Sequence, residues 1–360
     1  MKWSLKIGQF KGIGVYIHAT FLLIIVWIAI VYAMRGSGFM DFIHGVIFVL
    51  AIFACVVLHE FGHALTARQY GIPTKNITLY PIGGVARLQR MPDEPKQEFW
   101  VAVAGPAVNV VIAAVIYGIL QLTGTWQPLD ELTMTGGSFW IRLMIVNLFL
   151  VVFNIIPAFP MDGGRILRSL LAMKINYVKA TNISAMLGQG FALLFGFLGF
   201  FTNPFLIFIA LFVWIGASQE AQSTEARFLL HDQPVKKAMI TDFEILNSDD
   251  SLKVAVDKIL SGSQHDFPVM EGEKVAGILT RSDLMQALKE KGQDHPVRMV
   301  MHTEIEEASP DEELEKAFLR LQRCKCHTMP VMENGKLSGL LTMENVGEFM
   351  MIHSALNKQD

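Results

Sequence analysis

Residues 44–65 read His44-Gly-Val-Ile-Phe-Val-Leu-Ala-Ile-Phe-Ala-Cys55-Val-Val-Leu-His59-Glu60-Phe61-Gly62-His63-Ala-Leu65. This apolar run is long enough to cross a bilayer, and it carries three ionisable side chains near one end. Residues four apart share a helix face, so His59 and His63 can direct both imidazoles at one Zn²⁺ while Glu60 projects beside them. Glu60 is then placed to take a proton from water at the metal.

The rest of the composition agrees with a membrane setting. Hydrophobic residues make up 52% of the 360-residue chain, mean hydropathy is +0.40, and Phe (25) and Met (19) are numerous. From 21 to 215 long apolar runs alternate with short polar connections, whereas 232–360 reads as a soluble sequence rich in Asp, Glu and Lys. Candidate spans lie near 18–34, 42–66, 98–122, 138–158, 185–201 and 204–219, each close to the length needed for ~30 Å of hydrocarbon. The sequence thus predicts a polytopic α-helical membrane protein of about six transmembrane helices with a short membrane-associated β segment, followed by a soluble α/β module. The expected domains are 1–222, 232–292 and 293–360. The opening residues are not expected to be a cleaved signal, because the apolar run after them is too long and no small-residue cleavage site closes it.

Basic residues set an expected orientation. Lys2, Lys6 and Lys11 precede the first span, Arg68, Lys75, Arg87, Arg90 and Lys96 follow the second, and Arg165, Arg168, Lys174 and Lys179 follow the fourth. Only Arg35 lies between the first two spans, and 123–140 carries Asp130 and Glu131 but no Lys or Arg. A multi-pass protein of the cell membrane with both termini and the soluble module in the cytoplasm follows, with His59 to His63 at the cytoplasmic end of span two.

A catalytic zinc takes three protein ligands and keeps one open position. Asp162 is the candidate for the third. It follows span four in Asn154-Ile-Ile-Pro157-Ala-Phe-Pro160-Met-Asp162-Gly163-Gly164-Arg165, and span four runs in the same direction as span two. Pro157 and Pro160 break the helix, and Gly163 and Gly164 allow the positive φ or close backbone approach needed to turn Asp162 to the metal.

With these motifs the chain resembles the site-2 proteases, intramembrane zinc metalloproteases, and within them the branch that ends in a pair of CBS domains. The likeness rests on His59 to His63, Pro81-Ile82-Gly83-Gly84-Val85-Ala86, Ala104-Gly105-Pro106-Ala107-Val108-Asn109 and Asn154 through Gly164. It implies one catalytic zinc ion on His59, His63 and Asp162, Glu60 as general base, and cleavage of a transmembrane segment of another protein near the cytoplasmic face.

Residues 74–79 have the β-branched alternation of a strand, and Pro81 to Val85 reads as a flexible continuation. This segment, with Gly83, Gly84 and Val85, either pairs its edge with an extended substrate or packs as a re-entrant loop. Asn154 either holds the scissile backbone or oxyanion, the role the resemblance favours, or caps the broken span. Asn109 reads as interhelical glue, and His18 and His44 as packing or interfacial residues.

The soluble part repeats with an offset of 62 residues, pairing Met239 with Met301, Leu252 with Leu314, Ala255 with Ala317, His265 with His327, Pro268 with Pro330, Gly277 with Gly339 and Thr280 with Thr342. This resembles a tandem CBS pair, which implies an adenine nucleotide such as ATP or AMP held by a Thr and an Asp three residues on. Thr280 and Asp283 fit that pattern, whereas Thr342 is followed by Asn345, so one site is expected rather than two. A module used only for packing or for a homodimer stays open. Cys324 and Cys326 are expected as free thiols, and a net charge of −3 with no basic stripe gives no support for nucleic-acid binding. The alternative to a protease is a CBS-regulated transporter or channel with His, Glu and Asp on an ion path.

Overall fold

The computed structural model describes residues 3–36, 38–81, 83–88, 92, 94–126 and 138–357. The expectations placed on Lys2, Ile82, Arg90, Asp130 and Glu131 lie outside the described residues. Two compact units divide the chain, Met1–Gln222 and Ser223–Asp360.

The apolar runs of the first unit form α1 (Leu22–Met34), α2 (Phe39–Gln69), α3 (Pro95–Leu122), α4 (Phe139–Ile155), the short α5 (Asp162–Ala172), α6 (Tyr177–Phe201) and α7 (Phe205–Leu230). Four of these, α2, α3, α6 and α7, are long and apolar enough to cross a membrane, which makes this a multi-pass helical region. The expected count of six is corrected on this point, because α1 has 13 residues and α4 has 17. Both are shortened by their neighbours. Residues up to His18 are drawn into a strand and 19–21 into a 3-10 turn ahead of α1, while Ile156 sits before Pro157 in an extended conformation (ψ 124°) that ends α4.

Near the histidines the fold is a sheet on a helix. Strands β1 (Ser4–Phe10), β2 (Ile13–His18), β3 (Thr74–Tyr80) and β4 (Gly83–Leu88) lie in that order, with β2 and β3 parallel and the outer pairs antiparallel. β3 occupies the predicted strand. Gly83 to Val85 differ from the expected flexible continuation: they open β4, an edge strand started by Gly83 at φ +140°. Residues 4–18, unassigned in the sequence, form a hairpin that turns at Lys11 and Gly12, both at positive φ. Ile13, Val15 and Ile77 pack on Phe61 and Ala64, so the sheet rests directly on the His59 to His63 turn of α2. On its other side α2 meets α3 closely. A Cβ on Gly62 would fall 2.7 Å from the Ala104 carbonyl oxygen, an approach that only glycine permits.

A buried ion cluster joins α3, α5 and α7. Arg168 donates from Nε to Glu98 Oε1 at 2.9 Å and from Nη1 to Glu220 Oε1 at 2.6 Å, with its guanidinium over the rings of Phe159 and Tyr177. Pairing with two carboxylates in this way is what makes a guanidinium tolerable away from water.

The second unit carries two similar halves: β5 (Leu246–Asn247), α8 (Leu252–Ser261), β6 (Phe267–Glu271), β7 (Lys274–Leu279) and α9 (Arg281–Lys291), then α10 (Leu314–Leu321), β8 (Thr328–Glu333), β9 (Lys336–Thr342) and α11 (Met343–Asn357). The segment leading into each half packs with the other half. Ile240 bridges to Leu340 on β9 and His302 to Ile278 on β7, and Leu230, Val235 and Ala238 share a core with Leu314, Ala317 and Leu341. The paired glycines make room for this exchange, since a Cβ on Gly277 would meet His302 O at 2.5 Å and one on Gly339 would meet Ile240 O at 2.8 Å.

Candidate metal centre

His59 and His63 lie one turn apart on the buried face of α2, and Asp162 opens α5 directly after the Pro157–Met161 turn. Close packing aims that turn. A Cβ on Gly163 would stand 2.1 Å from Ile156 O and one on Gly164 2.5 Å from Phe159 N, so of the two expected roles for these glycines the close approach is the one used.

The three side chains converge on one point. His59 Nε2 lies 3.1 Å from His63 Nε2 and 3.1 Å from Asp162 Oδ2, and His63 Nε2 is 3.2 Å from the same carboxylate oxygen. Tetrahedral zinc with bonds of about 2.1 Å would set its ligands roughly 3.4 Å apart, so the triangle has the right size. Protonation gives a second, independent test. His63 Nδ1 donates to the Val101 carbonyl at 2.7 Å, and His59 Nδ1 donates to Asn109 Oδ1 at 2.7 Å. A neutral imidazole with its hydrogen on Nδ1 turns a lone pair out at Nε2. Two lone pairs and a carboxylate oxygen therefore face each other, an arrangement that repels itself unless a cation lies between them.

The surrounding elements close the site. α3 approaches so nearly that a Cβ on Gly105 would fall 2.2 Å from His63 Nε2 and 2.7 Å from His59 Nε2. On the opposite side β4 meets Glu60, whose Oε2 accepts the Ala86 N–H at 3.0 Å. Gly84 packs there, and a Cβ on it would come within 2.9 Å of Glu60 Cγ. Val85 is exposed on the same strand.

Other expected residues are placed differently. Asn154 Nδ2 donates to Leu150 O at 3.0 Å, one turn back within its own helix. Asn109 is more than glue, because it bonds a metal-facing histidine; nothing in its sequence neighbourhood pairs it with a residue 50 positions away. Gly105 was visible only as part of a motif. His18 stacks on Tyr80, 5.1 Å between ring centres. In the second unit the Thr280 hydroxyl caps α9 and meets the Asp283 carboxylate, which also lies 3.0 Å from His302 Nε2. Thr342 and Asn345 repeat that pairing. Cys324 and Cys326 are free and buried, and burial with the adjacent Cys324 pushes the Cys326 thiol up to about 12, which disfavours a thiolate metal site.

Comparison with known proteins gives concordant matches. Residues 47–140 and 127–195 match the sequence family described as Peptidase family M50, and 235–290 and 297–351 each match the CBS domain. A zinc metalloprotease of Methanocaldococcus jannaschii is 33% identical over 98% of this chain and 97% of its own length. Among solved structures, the site-2 protease from Methanocaldococcus jannaschii is 37% identical over 61% of this chain and 95% of that one, with a TM-score of 0.46.

Proposed function

The chain belongs to the site-2 protease (M50 peptidase) family of zinc metalloproteases, in the branch with tandem CBS domains, and from that premise we propose a role for each residue of the cluster. His59, His63 and Asp162 hold one catalytic zinc ion, and Glu60 is the general base that hydrolyses a peptide bond within a transmembrane segment of a membrane-protein substrate. The observation that carries this reading is the convergence of His59 Nε2, His63 Nε2 and Asp162 Oδ2, 3.1 to 3.2 Å apart. When bound, the ion supplies Lewis acidity that makes peptide hydrolysis feasible at neutral pH. The chain does the rest. The Ala86 N–H fixes one oxygen of Glu60, orienting the carboxylate to accept a proton from water and return it to the departing amine nitrogen.

A helical substrate hides its carbonyls in its own hydrogen bonds, so it must be extended before attack. Gly83, Gly84 and Val85 on the β4 edge offer a place for strand addition, with Gly84 next to Glu60. The substrate role of Asn154 rests on the family resemblance alone. Both termini and the CBS module face the cytoplasm, the proposed domains being 1–222, 232–292 and 293–360.

In the regulatory part, Thr280 and Asp283 take the phosphate and ribose of one ATP or AMP, and Thr342 with Asn345 forms a weaker counterpart; the module also supports a homodimer. Titration of the full chain with each nucleotide should show saturable binding that Asp283→Ala weakens, and binding that ignores the substitution rejects the site. For the protease, Glu60→Gln should abolish cleavage of a transmembrane substrate while metal analysis still finds one zinc per chain. Full activity in that variant would sink the assignment of the base.

A further inference from the structure

Asn109 and Asn147 are fully buried amides on α3 and α4, and neither is a metal donor. Their hydrogen bonds run in one direction only. The Leu143 carbonyl can accept but never donate, so Asn147 must turn its amide nitrogen to it, at 2.9 Å. That leaves Asn147 Oδ1 facing α3, where it accepts from Asn109 Nδ2 at 3.0 Å. Asn109 then has its carbonyl oxygen to offer His59, and the ring nitrogen 2.7 Å away, Nδ1, must carry the hydrogen.

We infer that Asn147 and Asn109 are positioning residues that fix the tautomer and the aim of His59. The chain begins at an acceptor-only carbonyl and ends at the lone pair of His59 Nε2. His63 has no comparable chain because its partner, the Val101 carbonyl, is itself acceptor-only. His59 is paired with an amide, which could face either way. With the Asn109 amide reversed, its NH₂ group would meet Nδ1, the ring hydrogen would move to Nε2, and a protonated nitrogen cannot ligate a metal. Asn147 removes that choice. Three helices thus contribute to one ligand: α2 carries the ring, α3 the acceptor, and α4 the group that orients the acceptor.

The inference rests on His59 holding a metal ion, and the test separates the two ideas. In full-length protein in detergent, Asn147→Leu removes both amide bonds at similar volume, whereas Asn147→Asp as a neutral acid can still donate to Leu143 O and accept from Asn109. Zinc affinity, read by competition with a chromophoric chelator, should fall roughly 10–100-fold in Asn147→Leu and return to the wild-type range in Asn147→Asp. A merely structural amide would lower thermal stability and leave the affinity of the folded protein unchanged, which would overturn the proposal, as would equal losses in both variants. If Asn147→Leu does not accumulate, the ¹⁵N shifts of His59 in metal-free wild-type protein, assigned with His59→Gln, decide alone. Hydrogen on Nδ1 supports the chain and hydrogen on Nε2 overturns it. Absence of zinc binding by the wild type would instead overturn the metal assignment.

Discussion

Gly105 has no side chain, and two metal-facing nitrogens occupy the space a methyl group would need, 2.2 and 2.7 Å from the position of its missing Cβ. Contacts that short force either the imidazoles or α3 to move. Gly105→Ala should therefore lose bound zinc, measured per chain after dialysis, while circular dichroism keeps the helical signal of wild type; retained zinc would show that α3 can withdraw at little cost. At this scale the sequence revealed His59, Glu60 and His63, because they sit on one turn of one helix and their mutual geometry follows from residue spacing. It did not reveal the role of Gly105 or Asn109. Each acts on a residue more than 40 positions away, and a distance across two helices has no local signature.

Among the elements, β4 shows how a loop-like sequence can become a strand. Pro81, Gly83 and Gly84 weaken local β preference, yet β3 supplies a template and α2 a surface, and the segment pairs from Gly83 onward. Because the Ala86 N–H points to Glu60, adjacent Val85 turns its own toward β3, by the alternation of an antiparallel strand. Val85→Pro deletes that donor and should detach the edge. Cleavage of a transmembrane substrate is then expected to fall below detection with zinc still bound, whereas normal cleavage would reject β4 as the substrate strand. The same contest between local tendency and surroundings shortened two helices. Hydropathy alone extended the first span to 18 and the fourth to 158, but sheet pairing took His18 and the proline turn took everything after Ile155. The hairpin at 4–18 went unread because a β2 strand parallel to β3, some 60 residues later, completes it.

For the molecule as a whole, the lesson lies in the cores. Leu230, at the end of α7, is buried among Val235, Leu314 and Leu321, so the second unit depends on a side chain that precedes the repeat visible in the sequence. Leu230→Ala should destabilise that unit by about 2–5 kcal/mol, read as a lower denaturant midpoint for its unfolding transition; an unchanged midpoint would mean the core does not rely on it. What the sequence determined by itself was everything set by spacing within a segment: the apolar helices, the face shared by His59 and His63, the proline-broken turn before Asp162, and the 62-residue repeat. Only the tertiary structure decided what meets across segments. It joined residues 4–18 to β3, passed each lead-in segment of the repeats to the opposite half, and brought Asp162, Gly105 and Asn109 to the same two histidines. The reason is physical: a helix or strand fixes its own geometry through a constant rise and rotation per residue, while the meeting of distant residues depends on how whole surfaces pack, which no single stretch of chain contains.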